Sequence, residues 1–359
     1  MVDTALSPTH ESNEPAKLAH GAQWDAFHIF YGGDTDALVR QCVMPLIEEL
    51  EASNYLARFF YISYWLEGGH VRLRLKAADE SRREGMRTRS LAVISLYLAE
   101  HPSLHSMPEL ESSGYYESLF AAEYRGADRT PYFHEDGTPR FVPNNTVQQR
   151  FYAPEFERYG GPRGMVISED FFEQSTRLVF TLRSFRNVGV RTMLLGSALE
   201  AMLVLAMVFL ENRKDISDFF YAYYRRWVDL YEFDESYSDP TKQRAYASSK
   251  TRIGEMVDGL YANFHRDGLG SMPGYLGHWA HECGRIRELI EAAVAGGEIE
   301  FDLPDRGRFV AESNRTALWV LGHSFVHMTN NRLGLTAADE AYVAYLIATV
   351  LKDKADDVE

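Results

Sequence analysis

Three separated segments carry side chains whose types and spacing suit chemistry. In 70–76 (HVRLRLK), Arg72 and Arg74 stand two apart. Residues two apart on a strand share a face, so both guanidinium groups project together. Such a pair either dresses a solvated strand or forms a fork for carboxylates, which guanidinium geometry matches. In 152–161 (YAPEFERYGG), Glu155 and Arg158 precede a glycine turn. That is either a strand-to-helix junction with a structural ion pair or a functional element end, where polar sites usually form. In 323–334 (HSFVHMTNNRLG), an apolar helix runs into a polar cluster capped by glycine, with His323 and His327 on one helical face. A helical histidine is usually structural. Beside Asn330, Asn331 and Arg332, one of these two is an acid–base candidate, since its ordinary pKa lies near neutrality.

Other signatures are missing. The sequence holds no P-loop, no GxGxxG after a strand, no HExxH and no GxSxG. His278 and His281 (HWAHE) lie three apart on a predicted helix with no third ligand nearby, short of what zinc demands. No cofactor is expected.

The elements that must position these residues are legible in part. An aromatic-rich strand is predicted over 24–31, and a helix over 35–53 with Val39, Val43, Leu46, Ile47 and Leu50 at helical spacing. Strands over 58–65 and 70–76 are joined by Leu66-Glu67-Gly68-Gly69, a hairpin signal. A helix over 80–100 follows, then a mixed section 115–149 with a turn at Asp136-Gly137. Beyond 160 helices dominate, at about 163–184, 190–212, 215–231, 239–264, 276–296, 307–330 and 336–352. The expected fold class is α+β: a mixed front half with an antiparallel hairpin, packed on a helical back half. The expected organisation is a disordered tail, 1–23, and one domain, 24–359, made of an αβ portion 24–160 and a helical portion 161–359.

Composition narrows the partners. The 359 residues are 45% hydrophobic and 25% charged, as in an ordinary globular protein, with a net charge of −15. An acidic surface argues against a sequence-independent grip on nucleic acid. The two cysteines, Cys42 and Cys283, form no CxxC pair and read as reduced buried thiols of a cytoplasmic protein. The N-terminus lacks an apolar signal core. The run 193–210 is nearly long enough for a membrane span of roughly 20 residues. Glu200 at its centre, with Arg191 and Arg213 bracketing it symmetrically, makes it a core helix instead.

From Trp24 to Lys352 the sequence resembles the small C-terminal domain of class I lantibiotic dehydratases, also called the thiopeptide-type bacteriocin biosynthesis domain. The opening Trp and aromatic strand, the FFYISYW–HVRLRLK hairpin, YAPEFERYGGP and HMTNNRLG carry the resemblance, in that order. It implies glutamate elimination: a Ser or Thr of a ribosomally made precursor peptide, esterified to a glutamyl group, loses its α-proton and glutamate to become dehydroalanine or dehydrobutyrine. The family's functional residues fall on Arg72, Arg74, Glu155, Arg158 and His327. The resemblance also implies two partners, the precursor peptide (leader and core) and a separate glutamyl-tRNA-dependent glutamylating protein, since the large glutamylating domain is not seen here. Two other functions share the expectation. A thiopeptide pyridine synthase on the same fold joins two dehydroalanines in a formal aza-[4+2] cycloaddition and expels the leader. A non-catalytic scaffold would bind the leader along an exposed strand edge. The complete arginine–glutamate–histidine set favours elimination.

Overall fold

The computed structural model describes residues 14–104, 113–210 save 125 and 127, 212–231, 240–267, 272, 274–304 and 306–356. These fall into two compact units, Met1–Pro154 and Glu155–Glu359. Of the expected tail, residues 1–13 lie outside the described ones. Glu14–Gly21 form a helix, α1, with Lys17 and Gly21 buried.

In the first unit, β1 (Asp25–Phe30) is one of the two inner strands of an antiparallel sheet ordered β2-β3-β1-β4, with β2 Leu56–Tyr64, β3 His70–Ala77 and β4 Thr146–Arg150. The predicted helix 35–53 is a continuous run: α2 (Thr35–Leu38), a π turn (Val39–Val43) and α3 (Met44–Ala52). Pro45 follows the wide turn, where a missing N–H is tolerated most easily. Helix α4 (Glu80–Glu100) begins at Asp79, whose carboxylate accepts from the Arg82 N–H at 3.1 Å. The mixed section resolves into α5 (Ser113–Glu123) and β4.

Period-two alternation divides the sheet. Phe27, Ile29, Phe59, Tyr61, Val71, Leu73 and Leu75 are buried on one face, which α3 and α4 cover. Each such side chain contributes about 1.5–3 kcal/mol on burial. Asp25 ties α4 to the sheet by accepting from Arg83 (2.8 Å) and Arg87 (2.7 Å). The other face carries His28, His70, Arg72, Arg74 and Arg150.

The second unit is built from α6 (Gly161–Phe185), α7 (Arg191–Leu210), α8 (Arg213–Tyr231), α9 (Pro240–Asp267), α10 (Tyr275–Ala295), α11 (Asn314–Leu333) and α12 (Ala337–Asp356). Helix α7 is long and apolar enough to cross a membrane by length and composition, yet 72% of its apolar window is buried against α10, α11 and α12. Phe171 of α6 stacks on Phe325 of α11 with centroids 4.0 Å apart. Cys42 and Cys283 are buried free thiols, and burial pushes Cys42 up to about 12.

One expectation needs correction. The helix predicted over 307–330 begins only at Asn314, and β5 (Glu300–Leu303) pairs with β6 (Gly307–Val310) in an antiparallel hairpin before it. Ile299 and Phe301 alternate inward and are fully buried. Gly307 (φ 65°) takes the left-handed backbone of the hairpin turn, which ends β5 and starts β6 ahead of the helix.

Candidate active site

The five residues singled out from sequence divide between the units: Arg72 and Arg74 in the first, Glu155, Arg158 and His327 in the second.

Arg72 pairs across the sheet with His28 on β1 and Ile62 on β2, and Arg74 with Ala26 and Phe60. The alternation therefore sets His70, Arg72 and Arg74 on one face with His28, with Tyr64 of β2 and with Gln148 and Arg150 of β4. The Arg72 guanidinium lies 3.4 Å from the Tyr64 ring centroid, and its Nε–H donates to His70 Nε2 at 3.1 Å. Since Nε2 accepts, His70 carries its proton on Nδ1 and donates to the Gly68 carbonyl at 2.8 Å. Gly68 (φ 108°) supplies that carbonyl from the hairpin turn. The Arg74 guanidinium lies 5.3 Å from the Tyr152 ring. Arg150 donates to Glu67 at 2.5 Å and to Gln148 at 2.8 Å. The His28 and His70 rings stack at 5.0 Å. Burial, then the neighbouring Arg72 charge, pulls His70 down to about 3; burial, then Arg74, holds His28 far below its ordinary value. Both imidazoles are neutral amid three guanidinium groups.

At the start of the second unit, 155–161 (EFERYGG) folds as a tight turn. The Arg158 and Tyr159 N–H groups donate to the Glu155 carbonyl, each at 3.1 Å, and Gly160 takes a left-handed φ of 81°. The hairpin that sequence reasoning overlooked braces this turn: Asp302 N–H donates to the Glu157 carbonyl at 2.9 Å. Arg158 donates through Nη1 to Glu155 (3.3 Å) and through Nε to Ser324 Oγ (3.3 Å). Ser324 sits one turn before His327 on α11, so Arg158 and His327 meet on one face of that helix.

Helix α11 ends at Gly334 (φ 93°), whose N–H donates to the Asn330 carbonyl at 3.0 Å. Thr336 and Asp339 then cap α12 reciprocally, each backbone N–H donating to the other's side chain at 3.2 Å. This tight reversal returns Glu340, in the first turn of α12, to face His327: Nδ1 lies 2.9 Å from Glu340 Oε1. The Tyr223 hydroxyl and Asn330 Nδ2 (3.2 Å) donate to the other carboxylate oxygen. Glu340 is 1% exposed, and the Trp227 ring lies 5.2 Å from the imidazole. A carboxylate accepting at Nδ1–H fixes the tautomer and leaves Nε2 as the basic nitrogen. Burial lowers the His327 pKa against the opposing Glu340 charge, and Arg158 lowers it further. The imidazole is therefore neutral at pH 7 and equipped to take a proton, with a carboxylate behind it to stabilise the cation formed.

The remaining singled-out residues have structural places. His323 donates to the Phe219 carbonyl (3.2 Å), packs on that ring, and is pulled down to about 4 by burial. Arg332 is fully buried and donates to the Met328 carbonyl (2.6 Å) and Thr176 Oγ1 (3.1 Å). His278 and His281 are exposed on α10, and among the described residues no group of three or more His, Cys, Asp and Glu is placed to hold a metal ion. The residues missed from sequence are Glu340, Tyr223, Ser324, His70 and His28. Period two from Arg72 points back to His70, and helical period from His327 to Ser324. Nothing in the sequence singles out Glu340 or Tyr223.

A four-stranded antiparallel unit followed by a helical unit is an arrangement shared with solved proteins. The pyridine synthase TbtD, from thiomuracin biosynthesis, is similar over 92% of this chain and 98% of its own, with a TM-score of 0.69 and 20% identity. TsrL is similar over 92% and 95%, with a TM-score of 0.60 and 15% identity. The tRNA-dependent lantibiotic dehydratase MibB from Microbispora sp. 107891 is similar over 99% of this chain but 29% of its own, with a TM-score of 0.55 and 18% identity. At these identities the likeness is one of fold. No curated protein matches the sequence. Residues 24–351 match the family described as lantibiotic biosynthesis dehydratase C-term, and the chain belongs to that family.

Proposed function

We propose that this protein is a lyase that eliminates glutamate from glutamylated Ser or Thr of a ribosomally made precursor peptide, leaving dehydroalanine or dehydrobutyrine. The observation that carries the reading is the neutral His327 imidazole held at Nδ1 by the buried Glu340 carboxylate, with Arg158 on the same helix face. In this reaction His327 Nε2 takes the α-proton, the electron pair forms the Cα–Cβ double bond, and the Cβ–O bond breaks to release glutamate as a carboxylate. Glu340 stabilises the imidazolium as it forms, the role a carboxylate plays behind histidine in hydrolytic triads. Arg158, held by Glu155 and Ser324, stabilises negative charge developing on the substrate. Arg72 and Arg74, which the family resemblance assigns to the same reaction, carry guanidinium groups whose geometry suits carboxylates. The substrate comes from a glutamylating partner that uses glutamyl-tRNA, and the reaction is cytoplasmic.

A second reading, pyridine synthesis from two dehydroalanines, is the activity of TbtD, whose fold this chain shares. Mass spectrometry of a glutamylated precursor peptide incubated with the purified protein tests the first. Loss of one glutamic acid per modified residue is expected in wild type and is expected to fail in His327→Phe. Glutamyl esters returned intact by wild type would refute elimination.

A further inference from the structure

His28 is 5% exposed, and among the described residues neither of its ring nitrogens finds a hydrogen-bond partner. Leaving a buried donor or acceptor unmet costs about 1–3 kcal/mol, so such a group in a folded protein calls for an explanation. Its neighbour His70, on the same sheet face, is satisfied at both nitrogens, by Gly68 and by Arg72. His28 thus differs from an ordinary buried histidine of this sheet. Its place is informative: on β1 it pairs with Arg72 on one side and with Gln148 on the other, and its ring stacks on His70. The face around it carries Arg72, Arg74 and Arg150, with Glu67 engaged by Arg150.

We infer that His28 is a binding residue for a carboxylate, donating its N–H to an anion drawn to this face by Arg72 and Arg74. The inference rests on the elimination reading in taking that carboxylate to belong to the leaving glutamyl group. The division of labour follows from charge. A protonated His28 would repel the arginines beside it, and burial with those charges keeps it neutral. It therefore acts as a directional donor, while the guanidinium groups supply the attraction.

The test is titration of the full-length protein, labelled with ¹⁵N-histidine, with L-glutamate and separately with an acidic, C-terminally amidated leader fragment. Saturable L-glutamate binding that shifts a His28 nitrogen resonance supports the inference. His28→Phe, which keeps the stacked ring and removes the donor, is then expected to weaken that binding tenfold or more, as loss of a bond to a charged group does. The wild-type spectrum decides the matter even where that variant misfolds. Glutamate binding that depends on Arg72 but leaves the His28 nitrogens unmoved overturns the role of His28 and leaves elimination standing. A shift produced by the leader fragment alone overturns the glutamyl assignment. Absence of glutamate binding overturns the inference, and turnover of glutamylated peptide in the same preparation tells whether the elimination reading falls with it.

Discussion

Replacing Glu340 with Gln probes the least expected feature of the site. The Glu340 carboxylate accepts from His327 Nδ1–H, Tyr223 and Asn330 while almost fully buried. Gln keeps the volume and one acceptor oxygen, so His327 Nδ1–H retains a partner. The amide NH₂ then meets Tyr223, whose hydroxyl can turn to accept. Asn330 can flip its amide to offer the oxygen that otherwise lacks a hydrogen bond among the described residues. The fold should survive at a cost of about 1–2 kcal/mol.

The effect on chemistry is larger and has a direction. Charge-assisted bonds are roughly twice as strong as neutral ones, so the imidazolium loses about 1–1.5 kcal/mol, close to one pH unit. The Glu340 charge raises the His327 pKa against burial. Its removal must lower that pKa further, moving the acid limb of kcat/KM to lower pH by about one unit. Meanwhile the rate on the plateau should fall on the order of 10²–10³-fold as the transition state loses its counter-charge. Steady-state kinetics from pH 5 to 8 on a glutamylated peptide measure both. A plateau lowered with an unmoved acid limb would show that Glu340 matters only to packing. An unchanged plateau would remove the pair from the reaction.

Other consequences are open to direct measurement. Arg158→Ala or Arg72→Ala should stay folded while glutamylated peptide accumulates, each losing about 2–4 kcal/mol of transition-state stabilisation in kcat/KM; wild-type turnover would exclude that residue. Turnover should survive EDTA, and loss restored by zinc would direct attention to His278 and His281. Acid should destabilise the fold early. His28, His70 (about 3) and His323 (about 4) have folded pKa values below the unfolded value of about 6.5, so their contribution is full above it and is lost as pH falls below it. Three such groups give a slope approaching 4 kcal/mol per pH unit between about pH 6 and 5, readable by urea unfolding. A flat profile there would contradict their burial as neutral rings.

Much of the fold was legible because local signals and tertiary structure agree. The aromatic strand, the hairpin around Gly68 and the helix at 80–100 fall where period and turn chemistry put them. The β5–β6 hairpin escaped because its strands are four residues each, too short to separate from the helix that follows. Within the site, Arg72 and Arg74 share a face by strand period alone. The link from Arg158 to His327 runs through Ser324 across distant sequence. Glu340 looked like an ordinary acid in the first turn of a helix, where the macrodipole favours one. Only the sharp reversal at Gly334 turns it onto His327. His28 read as one more aromatic of a buried strand, since its missing partners are a property of three dimensions.

The most direct test of the central claim offers the wild-type protein two substrates side by side: a glutamylated precursor peptide, and a peptide already carrying two dehydroalanines. Mass spectrometry follows both. Elimination predicts that the first loses one glutamic acid per ester while the second is returned unchanged. If the glutamylated peptide comes back intact while the second is cyclised with release of its leader, the elimination account is wrong.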